Sequence, residues 1–303
     1  MIPARLLVVA LMGLTAGFVT PALRASAKAG GEMTIDTSDG PRHALVIPAG
    51  NGARPTVIVL HGALGTGAGT ARTTGFAEAA AKRGFTAVFP DGLGRQWNDG
   101  RAGGPGGPDD IGFIRALVKR LVAEGDADPQ RIYLAGISNG GMMSFALACK
   151  AGNLFAGIGT VIANMPAGIE PCAARPMPVV MINGTADPIV PYAGGGVGLG
   201  GGRGEVWSVE QTANLFARLD RCGGQIEQPL PDRDPSDGTS VTRVAWDGCS
   251  AGTSVTLYRV EGGGHSLPGR PSLAPRLLGL TNFDISGPGV ILDAFTQSSG
   301  RML

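Results

Sequence analysis

The sequence has few of the residues on which several classes of function depend. Of its 303 residues, 3 are histidine and 4 are cysteine, and no two cysteines have the Cys-x-x-Cys spacing of a zinc or dithiol redox site. Aromatic residues make up 5% of the chain, and 25 basic residues nearly balance 24 acidic ones. A chain with so little net charge has no strong attraction for nucleic acid or for an anionic lipid surface. We therefore expect a small or neutral partner and no metal site.

An apolar run near the N-terminus, residues 6–19, follows the positive charge of Arg5. This run is short for a membrane span, and Ala-Ser-Ala at residues 25–27 fits the small-x-small pattern of a signal-peptide cleavage site. We predict a signal peptide over residues 1–27 and a single domain over residues 28–303. The mature protein is then secreted, to the extracellular space or the periplasm, with no attachment to a membrane. Retention of the run as a membrane anchor is the alternative.

The four cysteines favour two disulfide bonds, because their number is even and the chain carries an export signal. Pairing neighbours in sequence joins Cys149 to Cys172 and Cys222 to Cys249. The sequence alone leaves three connectivities open. Four buried free thiols are the alternative.

Apolar segments with the lengths of strands and helices alternate along the chain. An opening hairpin is predicted from residues 33–36 and 44–47. Further strands are predicted at residues 56–60, 85–89, 132–135, 158–162, 179–182, 241–246 and 254–260, and helices at 76–82, 110–121, 141–149, 208–219 and 290–295. Asp110 is predicted to cap its helix, and the glycine-rich residues 194–204 to form a mobile surface loop. This order predicts an α/β fold, with a mostly parallel sheet covered by helices on both faces.

Residues 136–140, Gly-Ile-Ser-Asn-Gly, form the most informative segment, because they join a predicted strand to a predicted helix. A serine on such a sharp turn stands above the edge of the sheet, and only small neighbours fit beside it. Ser138 is therefore the candidate nucleophile. An oxyanion formed there needs backbone donors, which we expect from the Asn139 amide and from the loop at residues 61–65. We favour Ala63 in that loop, with Leu64 as the alternative.

A serine hydroxyl needs a base, and that base needs an orienting acid. In chains with this strand–turn–helix arrangement, the acid and then the histidine follow the serine. His265 is the one histidine after Ser138, so the order selects it as the base. Among the aspartates after Ser138, Asp187 is favoured because it directly follows a strongly apolar strand, and strand ends are where sites assemble. His61 is predicted to be a structural loop residue.

These motifs resemble the secreted poly(3-hydroxybutyrate) depolymerase-like and feruloyl-esterase-like branch of the α/β-hydrolases. The resemblance runs from about residue 33 to residue 295 and rests on residues 61–62, 97–101, 110–114, 136–143, 184–192 and 261–265. It implies the α/β-hydrolase fold, with Ser138 as nucleophile, Asp187 as acid and His265 as base. It also places Trp97 near the substrate, although a packed aromatic is an equal possibility. Where relatives carry an aromatic two residues after the base, this chain has Leu267, which we expect to affect substrate choice.

The resemblance implies a secreted serine carboxylic ester hydrolase that forms an acyl-enzyme and needs no cofactor. Its substrate would be a small or oligomeric ester, such as a 3-hydroxybutyrate or 3-hydroxyalkanoate oligomer. A feruloyl or acetyl xylan esterase acting on plant polysaccharide is the alternative. A serine peptidase of the same fold and a binding protein without catalysis rank below these.

Overall fold

The computed structural model describes Met1 and residues 30–101, 107–169, 172–250, 252–272 and 274–300. Apart from Met1, the predicted signal peptide lies outside the described residues, so its existence and cleavage stay predictions. Within the described residues, no helix combines the length and the apolar character needed to cross a bilayer.

A single large sheet organises the described chain. Its strands are β1 (Gly31–Thr37), β2 (Gly40–Ile47), β3 (Arg54–Leu60), β4 (Thr86–Pro90), β5 (Ala127–Ile137), β6 (Gly157–Val161), β7 (Val179–Gly184), β10 (Gln225–Pro229), β11 (Ser240–Trp246) and β12 (Val255–Glu261), and a separate short pair comprises β8 (Gly195–Gly196) and β9 (Glu205–Val206). The order across the 10-stranded sheet is β1-β2-β4-β3-β5-β6-β7-β12-β11-β10. The strands from β4 to β12 in this order are parallel, and antiparallel pairs flank them on both sides. The predicted mostly parallel sheet is confirmed.

Helices cover both faces of this sheet. They are α1 (Gly67–Thr73), α2 (Phe76–Lys82), α3 (Asp110–Ala123), α4 (Asn139–Ala151), α5 (Val209–Leu219), α6 (Pro275–Leu278) and α7 (Gly287–Gly300). Side chains of α3, α4 and α5 pack into one core, and those of α1, α2 and α7 pack into a second core on the opposite face. The periodicity of α3 shows why, since Phe113, Ile114, Leu117, Val118 and Leu121 are all buried along one side.

The opening hairpin has the predicted partners, with β1 antiparallel to β2 and Thr37 opposite Gly40 at its end. Several short elements were not predicted, namely helices α1 and α6 and strands β8, β9 and β10. Helix α1 is rich in glycine, alanine and threonine and has no apolar stripe in its sequence. Strand β10 is exposed at every residue, so its sequence lacks the alternation of apolar and polar residues that marks a half-buried strand.

One detail of the prediction needs correction. Helix α3 is capped by Asp109, whose carboxylate accepts the Gly112 N–H at 2.8 Å, and not by Asp110. Asp110 is the first helical residue, and its buried carboxylate accepts a hydrogen bond from Arg42 at 2.6 Å. The glycine-rich residues 194–204 include the two-residue strand β8 and the buried Val197, and the others are exposed or half-buried; their mobility stays a prediction.

Candidate active site

The turn at Ser138 has the geometry that the glycines around it permit. Ser138 lies between β5 and α4 with φ 54° and ψ −121°, a strained conformation for a residue with a side chain. A Cβ atom at Gly136 would lie 2.2 Å from the Gly140 carbonyl oxygen, and one at Gly140 would lie 2.4 Å from the Leu60 carbonyl oxygen. Only glycine fits at both positions, and the strand and helix can therefore meet at this sharp angle.

Three parallel strands bring the predicted triad residues to one edge of the sheet. Ser138 follows β5, Asp187 follows β7 and His265 follows β12, and the carboxyl ends of parallel strands meet at the same edge. The Ser138 Oγ lies 2.9 Å from the His265 Nε2, and the His265 Nδ1 lies 2.8 Å from the Asp187 Oδ2. The structure thus joins the three residues in one continuous hydrogen-bonded relay.

The carboxylate of Asp187 is held in place from its other side. Its Oδ1 accepts the backbone N–H groups of Ile189 and Val190, each at 2.8 Å. With both oxygens occupied and only 2% of the side chain exposed, Asp187 has one orientation toward His265. A carboxylate at Nδ1 favours the imidazole tautomer that carries its proton there, which leaves Nε2 free to accept the serine proton.

The two elements expected to supply the oxyanion donors both lie next to Ser138. The Asn139 amide is at the first residue of α4, where helix N–H groups have no acceptor within the helix. The loop at residues 61–65 comes close to the serine, since a Cβ at Gly62 would lie 3.5 Å from the Ser138 Cβ. In this loop the Leu64 N–H donates to the Arg95 carbonyl at 2.8 Å. That bond engages the alternative donor and favours Ala63.

His61 has the position of a structural residue. The ring is buried, its Nε2 accepts the Gly92 N–H at 2.9 Å, and its Nδ1 lies 2.8 Å from the Gly62 carbonyl oxygen. Nε2 can accept only in the neutral ring, which then donates from Nδ1 to Gly62. Burial lowers the pKa of His61, although the Gly62 carbonyl acts in the opposite direction.

The two predicted substrate residues are both packed into the protein. Trp97 is 4% exposed, and its indole N–H donates to the His61 carbonyl at 2.9 Å. Leu267 is half-buried against the second core, and its Cδ1 lies 2.9 Å from where a Cβ of Gly287 would stand. Leu267 therefore packs the loop that carries His265 against the start of α7. Its effect on substrate choice stays a prediction.

Sequence reasoning missed a polar network behind Asn139. The Asn139 side chain exchanges two hydrogen bonds with the backbone of Trp97, at 2.8 and 3.0 Å, and donates to the Asp99 carboxylate at 2.6 Å. Arg101 balances the charge of Asp99 through its Nε, 2.9 Å from Oδ2. The motif at residues 97–101 carried the signal, but nothing in a linear sequence pairs it with residue 139.

Two disulfide bonds join Cys149 to Cys172 and Cys222 to Cys249, the pairing of sequence neighbours. The first connects the end of α4 to the segment that leads into β7. The second connects the end of α5 to the segment that leads into β12. In the described part of the chain, no group of three or more His, Cys, Asp or Glu side chains is arranged to hold a metal ion.

Comparison with known proteins identifies relatives in sequence. A family model described as Esterase PHB depolymerase matches residues 42–195. The putative esterase NocK of Nocardia uniformis subsp. tsuyamanensis is 30% identical over 260 residues, which cover 81% of this chain and 75% of that protein. Feruloyl esterase B of Piromyces equi is 28% identical over 226 residues, which cover 72% of this chain and 40% of that protein. A poly(3-hydroxybutyrate) depolymerase of Ralstonia pickettii is 34% identical over 122 residues, 36% of this chain and 25% of that protein.

Solved structures show the same architecture. An acetyl xylan esterase from Aspergillus awamori superposes with a TM-score of 0.55 at 14% identity, covering 79% of this chain and 95% of that chain. At that identity the likeness shows the fold, which is the α/β-hydrolase fold predicted from the sequence.

Proposed function

The chain belongs to the Esterase PHB depolymerase family, and from that premise we propose that it is a serine carboxylic ester hydrolase with Ser138 as nucleophile, His265 as base and Asp187 as orienting acid. One observation carries the proposal. The Ser138 hydroxyl, the His265 ring and the Asp187 carboxylate form an unbroken chain of hydrogen bonds, with contacts of 2.9 and 2.8 Å, at the end of the sheet where β5, β7 and β12 terminate.

In the acylation step, the Ser138 Oγ attacks the ester carbonyl carbon while its proton passes to the His265 Nε2. The resulting oxyanion accepts hydrogen bonds from the amides of Asn139 and Ala63. When the tetrahedral intermediate collapses, the carbon–oxygen bond to the alcohol breaks, and the alcohol leaves with the proton held by His265. The product is an acyl-Ser138 ester.

In the deacylation step, a water molecule replaces the alcohol. His265 accepts a proton from the water as its oxygen attacks the acyl carbon, and the same amides stabilise the second oxyanion. Collapse returns the proton to the Ser138 Oγ and releases the carboxylic acid. The net reaction consumes one ester and one water, and it requires no cofactor.

The side chains exposed near the site favour an aliphatic ester. Leu64, in the loop at residues 61–65, is 62% exposed, and Leu93, in the turn whose Arg95 bonds to Leu64, is 40% exposed, whereas Trp97 is buried. Aliphatic surface of this kind suits a 3-hydroxyalkanoate oligomer better than the flat ring of a ferulate. The relatives include both a depolymerase and a feruloyl esterase by name, so a feruloyl or acetyl xylan substrate is the second candidate.

We also propose that the chain is exported, with residues 1–27 removed and residues 28–303 acting as one domain. The two disulfide bonds support this, because such bonds persist mainly in oxidising compartments. Mass spectrometry of the protein recovered outside the cytoplasm tests the cleavage. A mature N-terminus at residue 28 is expected, and an intact N-terminus contradicts the proposal.

Labelling and hydrolysis test the nucleophile together. Wild-type protein should react with a fluorophosphonate probe and hydrolyse p-nitrophenyl butyrate, and Ser138→Ala should lose both, with kcat reduced by about 10⁴-fold or more. Ser144→Ala is the matched control, since Ser144 is buried in α4, the helix that follows Ser138, and its hydroxyl donates to the Gly140 carbonyl at 2.8 Å. Activity retained by Ser138→Ala would refute the mechanism. Comparing 3-hydroxybutyrate oligomers, methyl ferulate and acetylated xylan then identifies the substrate class.

A further inference from the structure

The two amides assigned to the oxyanion lie on separate elements, so catalysis depends on the distance between them. Asn139 begins α4, whereas Ala63 lies in the loop at residues 61–65. Such donors act when they lie about 2.7–3.1 Å from the developing charge. A misplacement of about 1 Å costs on the order of 100-fold in rate. A third piece of chain, residues 92–99, contacts both elements; we call it the 92–99 segment.

The first joint of the 92–99 segment is the side chain of Asn139. Its Oδ1 accepts the Trp97 N–H at 2.8 Å, and its Nδ2 donates to the Trp97 carbonyl at 3.0 Å and to the Asp99 carboxylate at 2.6 Å. Asn139 as a whole is only 3% exposed, so water does not compete for these bonds. The residue that presents one oxyanion amide is thus fixed to the 92–99 segment by the amide of its own side chain.

The second joint connects the 92–99 segment to the loop at residues 61–65. At one end of the loop, His61 accepts the Gly92 N–H at 2.9 Å and its carbonyl accepts the Trp97 indole N–H at 2.9 Å. At the other end, the Leu64 N–H donates to the Arg95 carbonyl at 2.8 Å, and the Arg95 guanidinium donates to the carbonyls of Leu64 and Gly65. Ala63 lies between these two attachments.

The turn that contains Ala63 has a backbone conformation that surrounding contacts must stabilise. The Gly65 N–H donates to the Gly62 carbonyl at 2.9 Å, and Leu64, the third residue of this turn, has φ 65°. A positive φ at this position favours glycine, and a leucine keeps it only where surrounding contacts impose it. The bonds from Arg95 on both sides of Leu64 are such contacts.

The 92–99 segment is itself anchored to the core. The Asn98 N–H donates to the Asp110 carboxylate at 2.7 Å, and the buried Arg42 holds the other oxygen of Asp110 at 2.6 Å. Arg101 pairs with Asp99, so the carboxylate beside Asn139 does not present an unbalanced negative charge to the oxyanion. A segment anchored in this way can act as a fixed reference for both donors.

We propose that the 92–99 segment is the spacer that sets the distance between the two oxyanion amides, with the Asn139 side chain and Arg95 as positioning residues at its two joints. The inference rests on the proposed function, because it presupposes that an oxyanion forms at Ser138. Neither side chain is assigned contact with the substrate. Each acts through the amide that it holds in place.

Variants at both joints test this proposal, with kcat and KM for p-nitrophenyl butyrate and the affinity for butylboronic acid as readouts. Boronic acids form a tetrahedral adduct with an active serine, so their affinity reports on the oxyanion site. Asn139→Asp has the same shape but turns an oxygen toward the Trp97 carbonyl and the Asp99 carboxylate. We expect kcat and boronate affinity to fall by about 100-fold, with KM within about threefold of wild type. Arg95→Ala, at an exposed position, should lower kcat by about tenfold.

Two further variants separate positioning from general damage. Asn282→Asp is the matched control, because Asn282 is also buried and also donates to an aspartate, Asp284, at 2.8 Å. Asn282→Asp should destabilise the protein about as much as Asn139→Asp does. It should nevertheless keep kcat within about threefold of wild type, since Asn282 contacts neither amide donor. Leu64→Gly removes the need for Arg95 to stabilise the turn, because glycine adopts a positive φ freely. In the Leu64→Gly background, Arg95→Ala should change kcat by less than about threefold.

The outcomes are distinct. If Asn139→Asp fails to fold, the exposed Arg95→Ala variant and its Leu64→Gly rescue decide. The proposal is overturned if folded Asn139→Asp and Arg95→Ala keep kcat within about threefold, or if their losses appear in KM while kcat is unchanged. It is also overturned if Arg95→Ala costs as much activity in the Leu64→Gly background as it does in the wild-type chain. A wild-type protein that neither hydrolyses the ester nor binds the boronate fails the proposed function instead.

Discussion

A buried carboxyl group, at the end of the sheet opposite to Ser138, leads to a quantitative prediction about stability. Asp220 immediately follows α5 as its C-cap residue and is fully buried. Its Oδ1 accepts the Met177 N–H at 3.1 Å, and its Oδ2 is also buried. Burial raises the pKa of Asp220 from 3.8 to about 7, although Met177 and Thr253 act in the opposite direction.

The sign of the effect follows from the raised pKa. Below pH 3.8 the folded and unfolded states both hold the proton, and Asp220 adds no pH dependence. Between pH 3.8 and about 7 the folded state keeps a proton that the unfolded state has lost, so the free energy of unfolding falls as the pH rises. Each pH unit is worth about 1.4 kcal/mol, which gives a total penalty of about 4 kcal/mol above pH 7.

Urea unfolding of wild type and Asp220→Asn between pH 4 and 8 measures this penalty. The amide does not titrate, and its oxygen can still accept the Met177 N–H. The free energy of unfolding of the variant minus that of wild type should therefore rise with pH, by about 4 kcal/mol across the range. A difference that stays constant within about 1 kcal/mol would refute the reasoning.

Asp128→Asn is the control for charge removal as such. Desolvation is the largest single effect on the pKa of Asp128 and raises it, but the Gln130 N–H and the Arg131 guanidinium together outweigh it, so the pKa is lowered. A lowered pKa gives a contribution that is already complete above pH 5 and is lost only on stronger acidification. The corresponding difference for Asp128→Asn should thus be flat from pH 5 to 8.

Three further predictions concern the site and its supports. Asp187→Asn should leave the fold intact but lower kcat by about 10⁴-fold, because an amide can hold His265 in the wrong tautomer; a loss below tenfold in a steady-state assay would contradict the relay. Leu267→Trp should overfill the contact with Gly287 and destabilise the protein by about 1–3 kcal/mol in thermal unfolding. The values of kcat/KM for long and short esters should fall together. A changed ratio of these two values would instead indicate that Leu267 contacts the substrate. Replacing Cys149 and Cys172 by alanine should cost about 3 kcal/mol in urea unfolding, since the bond closes a loop with a sequence separation of 23, and an unchanged midpoint would show that this bond does not stabilise the fold.

The sequence was most informative where local chain geometry determines position. Ser138 could be located because the strand, the turn and the helix each have a local signature. The order along the chain then selected His265 as the base. Asp187 was selected because it directly follows a strongly apolar strand. Parallel strands place their carboxyl ends at one edge, so three residues far apart in sequence could be expected at one site.

The positioning contacts around the site have no such local signature. Asn139 and Trp97 are hydrogen-bonded at a sequence separation of 42 residues, and Arg42 and Asp110 at a separation of 68. No periodic pattern in the sequence predicts either pair. The helix cap was misassigned for a related reason, because Asp109 and Asp110 are neighbours of the same type and only their side-chain directions distinguish them. Leu267 could be counted as a departure from relatives, but its packing on Gly287 depends on how α7 returns to the sheet.

The last strand of the sheet has a consequence for how the protein behaves at high concentration. Among the described strands β10 pairs with β11 alone, and an open edge can recruit a strand from another molecule. Here the edge is 5 residues long, it ends in Pro229, which has no N–H to offer, and Glu227 forms an ion pair with Arg259 at 3.0 Å. Such an exposed pair adds little to folding stability. We expect the charge and the proline on this edge to act against edge-to-edge aggregation, so that changes at Glu227 and Pro229 affect solubility rather than the melting temperature.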